Sequence, residues 1–246
     1  MPPHHRPAPT PLPGWATETL AEATGRHRRH DPVDAVGGGP AGNARLTAWL
    51  GALLLALFLA ELATLLDVTG LLSWHIVIGV LLVPPALAKT ASTGWRIVRY
   101  YTGHGAYREA GPPPMALRVL GPLVVLSTLA VLGTGLALIA IGPDATRATL
   151  LTIVGYRVDA LTLHQGTFIV WAIATGLHVL GRLVPAVHIL RRTTVPGSTP
   201  RGVVLTLTAL VAAVAAMVIL TVSTPWLTAD LHPHRHEPPP AATITP

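Results

Sequence analysis

Leu161–Leu190, LTLHQGTFIVWAIATGLHVLGRLVPAVHIL, decides how the rest of the chain is read. It is apolar and exceeds the roughly twenty residues that cross a bilayer as a helix at about 1.5 Å per residue. Two imidazoles interrupt it, His164 and His178, fourteen residues apart. At about 100° per residue, fourteen steps return to within roughly 40° of the starting direction, so both rings share a helix face at depths about 21 Å apart. A second apolar stretch, Trp74–Trp95 (WHIVIGVLLVPPALAKTASTGW), repeats this spacing with His75 and, fourteen residues on, Lys89. Two helices therefore carry nitrogen ligands at matching depths.

Half of the residues are hydrophobic and 11% are charged, against about a quarter charged in ordinary soluble domains. The 246 residues describe one integral bundle with tails, and five apolar spans are incompatible with a soluble enzyme. No cysteine is present, which excludes disulfides, thiolate-held zinc, iron–sulfur clusters and covalent c-type haem attachment. Any bound metal uses nitrogen or oxygen. The net charge is +6, and sixteen of the seventeen cationic residues are arginines spread over loops and ends. That distribution orients a membrane protein; it is not a nucleic-acid-binding face.

In chain order, residues 1–43 are rich in Pro and Gly (PHHRPAPTPLPG, GGGPAG) and read as a disordered cytoplasmic tail with room for a short helix near Trp15–Ala23. No secretory signal pattern precedes the first apolar span, which is expected to be an uncleaved anchor. Spans are expected at Leu46–Leu66, Leu72–Val98, Val119–Ile141, Leu161–Leu190 and Val203–Val222. The transmembrane unit is residues 44–223, and residues 224–246 form a His- and Pro-rich extracytoplasmic tail. Because a span must satisfy its own backbone hydrogen bonds, the fold class is an all-α integral membrane protein of five transmembrane helices: a four-helix bundle plus one further C-terminal helix.

Arginines set the orientation. Arg6, Arg26, Arg28, Arg29 and Arg45 precede the first span; Arg96, Arg99, Arg108 and Arg118 separate the second and third; Arg182, Arg191, Arg192 and Arg201 flank the fourth-to-fifth connection. These regions face the cytoplasm of a bacterial cell. The opposite loops and the C-terminal tail, with only Arg147, Arg157 and Arg235, face outward. The second and fourth helices then run parallel, with His75 and His164 at the outer end and Lys89 and His178 deeper. Trp74, Trp95, Tyr100, Tyr101 and Trp226 fall near the predicted boundaries, as amphipathic rings do.

A haem b takes one or two neutral imidazoles from side chains facing each other across a bundle. His75 and His164 meet the depth requirement; Gly79, Gly166 and Gly176 leave room for a macrocycle, or equally for plain helix packing. The bland reading of each histidine is a hydrogen-bonded or interfacial polar residue. Glu61 either accepts protons or fixes the tautomer of a ligating imidazole, or else lies among outer headgroups. Pro84-Pro85 is expected to kink the second helix midway. His188 is turned off the His178 face and belongs to the cytoplasmic boundary. His232, His234 and His236 read as part of a solvated tail, with stray metal capture as the alternative.

The paired histidines, the run Trp95-Arg96-Ile97-Val98-Arg99-Tyr100-Tyr101 and the step Leu177-His178-Val179 resemble the transmembrane b-type cytochromes. That group includes bacterial cytochrome b561, hydrogenase cytochrome b subunits and formate dehydrogenase gamma subunits. The resemblance covers Leu46–Leu190 and implies four helices holding up to two haems. It makes His75 and His164 axial ligands of an outer haem b and His178 a ligand of an inner one. Lys89 stands where a fourth histidine would complete the inner pair; it either ligates as a free amine, reaches the headgroups, or pairs with a propionate. His104 is a substitute inner ligand, and Arg157, Arg182 and Arg96 are candidate propionate partners.

The expectation is a membrane cytochrome b subunit passing electrons between a quinone pool and a partner oxidoreductase. It carries no catalytic triad, nucleotide loop or hydrolase motif of its own. Two competitors use the same residues. In one, Glu61, His164, His178 and Lys89 form the proton relay of a haem-free transporter. In the other, the chain is a membrane scaffold whose histidines share no partner.

Overall fold

A computed structural model describes residues 12–191 and 195–228. Its elements are α1 (Gly14–Ala23), α2 (Gly39–Thr64, extended by a 3-10 turn at Leu65–Asp67), α3 (Leu72–Tyr101), α4 (Gly105–Ala110), α5 (Met115–Ala145), the strands β1 (Leu151–Ile153) and β2 (Tyr156–Val158), α6 (Ala160–Arg191), α7 (Ser198–Val222) and α8 (Thr224–Thr228). Five of these helices are long and apolar enough to cross a membrane. The protein is an all-α integral membrane protein with five candidate spans, and a small antiparallel hairpin sits between α5 and α6.

Local chemistry sets the boundaries. Asp67 accepts a hydrogen bond from the Gly70 amide at 2.9 Å, closing the turn between α2 and α3. Gly111, at φ 66°, ends α4, and the prolines that follow run directly into Met115 at the start of α5. α3 continues through Pro84-Pro85 with no residue leaving the helical region, and Pro85 is fully buried. The break falls in α5 at Gly142, whose φ of 77° and ψ of 169° leave the helical region just before Pro143. Gly tolerates that conformation without a Cβ clash.

Packing places the helices. α2 packs on α3, α3 on α5, α5 on α6, and α6 back on α2. These four close a ring in which α3 and α6 occupy one diagonal and α2 and α5 the other. Helix α7 lies outside the ring against α3. A buried cluster of Leu54, Leu82 and Ala86, flanked by Leu57, Phe58 and Leu132, ties α2, α3 and α5 together. In lipid there is little hydrophobic drive between helices, so close contact at small residues does much of this work. Gly181 of α6, for example, leaves a space that Leu117 of α5 enters.

Between residues 12 and 43 the structure places α1, Gly14–Ala23, where a short helix near Trp15–Ala23 is expected. α1 packs on α6 and α5. Glu22 pairs with Arg182 at 2.5 Å, and Asp31 with Arg96 at 2.6 Å. Arg29 donates to the carbonyls of Ala110 and Gly111; burial and the nearby Arg96 push its pKa below the usual arginine value. The glycine run forms a tight turn rather than a loose linker. Gly38, at φ 81°, caps α2, and a Cβ there would strike the Pro196 carbonyl at 2.8 Å. Composition alone signals flexibility because the partners that order this segment lie far along the chain.

Candidate functional site

His75 lies in the first turn of α3 and His164 close to the start of α6. The two helices run parallel on the ring's diagonal with little backbone contact between them, so side chains fill the space between. The two rings meet there, centres 6.5 Å apart and planes at 83°. Each ring is held through Nδ1 by a hydroxyl. Thr64 Oγ1 of α2 lies 2.9 Å from His75 Nδ1, and Thr134 Oγ1 of α5 lies 3.0 Å from His164 Nδ1.

The hydroxyl hydrogens identify the tautomers. Thr64 donates to the Glu61 carbonyl at 2.6 Å, and Thr134 to the Ala130 carbonyl at 2.8 Å. A hydroxyl has one hydrogen to give. With each hydroxyl hydrogen given to its carbonyl, both oxygens accept from the imidazoles, an arrangement that puts hydrogen on both Nδ1 atoms and leaves both Nε2 lone pairs free. No hydrogen bond to either Nε2 forms among the described residues. Glu61 adds a carboxylate oxygen 3.1 Å from His75 Nδ1. Thr167 lies 3.2 Å from Thr134 and donates to the His164 carbonyl, bracing the second ring from its own helix.

The N-terminus of α6 is held by its preceding residue. Asp159 accepts a hydrogen bond from the Thr162 amide at 2.7 Å, and that bond holds the carboxyl below the usual aspartate pKa. The cap is complete above the ordinary aspartate range and is lost as pH falls through the lowered value. Amide exchange in the first turn of α6 is thus expected to quicken on acidification in the wild type and to be quick at every pH in Asp159→Ala. Equal protection in the variant at neutral pH would show that the cap is unimportant to this turn.

Of the other expected site residues, Lys89 and His178 lie near each other and near Arg182, and the rest lie elsewhere. Gly79 faces Glu61 rather than open space, and a Cβ there would sit 3.5 Å from the carboxylate. Lys89 of α3 turns toward α2. Its ammonium donates to the Thr47 carbonyl of α2 at 3.1 Å and occupies the space left by Gly51. His178 Nδ1 is buried without a partner among the described residues. Arg157 lies in the hairpin and donates to Thr149 at 2.8 Å. Arg96 and Arg182 are committed to Asp31 and Glu22. His104 is an exposed residue before α4, and His188 packs beside Gly25. His232, His234 and His236 lie outside the described residues, as do Arg6, Arg192 and Arg235.

Sequence reading missed Thr64, Thr134, Thr167 and Gly135. A Cβ at Gly135 would come within 3.3 Å of the His164 ring. A signal existed in Gly133-Thr134-Gly135, a hydroxyl between two glycines inside an apolar span. On α6, Trp171, Thr175 and His178 continue the His164–Thr167 face inward, and each has a buried polar atom without a partner among the described residues. Comparison with protein-family models, curated proteins and solved structures finds no match to this chain.

Proposed function

We propose that the chain is a b-type cytochrome, an electron-transfer subunit in which His75 and His164 are the axial ligands of one haem b. The observation that carries this reading is the imidazole pair itself. The two rings lie 6.5 Å apart centre to centre, a separation at which one metal could be held by both. Among the described residues no third His, Asp or Glu joins them as a metal-ligating group. Two protein nitrogens suit an iron whose other four ligands come from a macrocycle. Haem b would supply a one-electron iron couple there.

The protein's own residues present both Nε2 lone pairs and hold the rings through Thr64 and Thr134, as outer partners of metal-bound histidines do. The arginine excess in the connections supports an orientation with the α1 end in the cytoplasm and the histidine end outside. Electrons would pass between a quinone pool in the bilayer and a partner oxidoreductase. The inner position does not fit a second haem held by two protein ligands, because the Lys89 ammonium is bound to Thr47 of α2. His178 is then free for a quinone or proton role.

A second reading is a haem-free proton relay along α6. It is favoured by the unpartnered polar atoms of Trp171, Thr175 and His178. A dithionite-reduced minus oxidised spectrum of the detergent-purified protein, with a pyridine haemochrome count, separates the two. About one haem b per chain is expected from a single bis-imidazole site. No haem after expression with ample haem supply would overturn the cytochrome reading in favour of the relay.

A further inference from the structure

We propose that Arg45 and Arg201 form a binding site for the phosphate of an anionic phospholipid, at the end of the bundle where α2 and α7 begin. The inference is independent of the haem reading. Arg201 lies in the first turn of α7 and is buried. Its guanidinium reaches across to α2, where the missing side chain of Gly42 admits it; a Cβ at Gly42 would lie 3.0 Å from Nη1. Nη1 donates to the Pro196 carbonyl at 2.6 Å and Nη2 to the Val195 carbonyl at 2.8 Å. Arg45 follows Gly42 by three residues, on the same face of α2, and stands close enough to Arg201 for the two charges to act on each other. Its Nη1 is buried with no partner among the described residues.

What this pair lacks is a negative charge. The carbonyls that hold Arg201 satisfy its N–H groups and leave its charge uncompensated. No carboxylate pairs with either arginine among the described residues, and the connection from Arg191 to Gly202 contains no Asp or Glu. Asp34, in the turn before α2, has its carboxylate against Gly39 instead. Buried charges are otherwise paired, as Asp31 takes Arg96 and Glu22 takes Arg182 in this same protein. Two neighbouring guanidiniums without an acid call for an external anion.

Depth identifies that anion. Gly42 and Arg45 lie in the first two turns of α2 and Arg201 in the first turn of α7, both helices long and apolar enough to cross a bilayer, so the pair sits where the spans meet the headgroups. Asn43, next to Gly42, donates to the Ser92 carbonyl of α3 at 2.9 Å. Trp95, one turn beyond Ser92, is half exposed with Arg99 over its ring at 5.0 Å; amphipathic rings mark that boundary. Phosphate oxygens fit the planar fork of a guanidinium, and basic pockets between spans take anionic headgroups. Inorganic phosphate offers the same oxygens without acyl chains to hold them at this depth.

Thermal unfolding in nanodiscs tests the site. The wild type is expected to melt higher in discs containing phosphatidylglycerol than in discs of phosphatidylcholine alone. Arg45→Gln, whose Nη1 has no partner to lose among the described residues, is expected to melt near the wild type in phosphatidylcholine and to lose most of that increment. Arg191→Gln removes an exposed charge from the same connection and is expected to keep it. Equal increments in the wild type and Arg45→Gln would mark a response to bilayer charge in general and overturn the site. A matching rise when inorganic phosphate is added to phosphatidylcholine discs, also lost in Arg45→Gln, overturns the lipid as occupant in favour of free phosphate. Native mass spectrometry of the delipidated wild type, offered equal amounts of the two lipids, needs no variant: preferential retention of phosphatidylglycerol is expected, and equal retention overturns the proposal.

Discussion

His75→Ala and His164→Ala are each expected to abolish the haem b spectrum, and the two variants are expected to differ in stability. On the proposed reading, either change removes one of the two nitrogens that would hold a haem iron. The consequences for the protein left behind are unequal. Without the His75 ring, Glu61 loses its contact with Nδ1 while its second oxygen stays buried without a partner among the described residues. Without His164, Thr134 and Thr167 still donate to the carbonyls of Ala130 and His164. A buried polar group stripped of its partner costs about 1–3 kcal/mol, so His75→Ala is expected to unfold at the lower temperature. His178→Ala is expected to leave the spectrum unchanged. Haem retained at the wild-type level in His164→Ala would sink the paired-ligand assignment.

Arg182→Ala is expected to release the N-terminal segment from the bundle. Glu22 is 3% exposed, and the Arg182 guanidinium at 2.5 Å is its partner. Removing one member of a buried pair leaves an uncompensated charge and costs about 3–5 kcal/mol; the part-exposed Arg182 places this pair at about the lower end of that range. The loss should appear in thermal unfolding and as new protease cleavage between residues 12 and 43. Glu22→Gln combined with Arg182→Ala removes the stranded charge and is expected to recover part of the stability. A single variant with unaltered melting and cleavage would mean that the segment is held elsewhere, by Asp31–Arg96 or by Arg29.

The five spans were legible in the sequence because length and apolarity are local properties. The spacing of His164 and His178 was legible as a shared face, and the alternation of spans placed His75 at the depth of His164. What could not be read is whatever depends on a distant partner. Glu22 and Arg182 are separated by 160 positions, and Arg29 bonds carbonyls 81 and 82 positions away. The polar, Pro-rich composition of that segment signals disorder only when those partners are left out. Lys89 is similar: its spacing suggests a ligand, but the gap at Gly51 and the Thr47 carbonyl, both on another helix, decide where the amine goes. Thr64 and Thr134 are ordinary threonines until the hydroxyl hydrogens are followed to their acceptors.

The contact between Glu22 and Arg182 also orders events in time. Glu22 leaves the ribosome 160 residues ahead of its partner, and at about 5–20 residues per second that is a wait on the order of ten to thirty seconds. Through that interval the first part of the chain to be made has no guanidinium to close on. The Glu22–Arg182 contact can close only once the fourth long helix has been made. The contact is therefore absent from any chain not yet extended through α6, and Glu22 stays without this guanidinium until then.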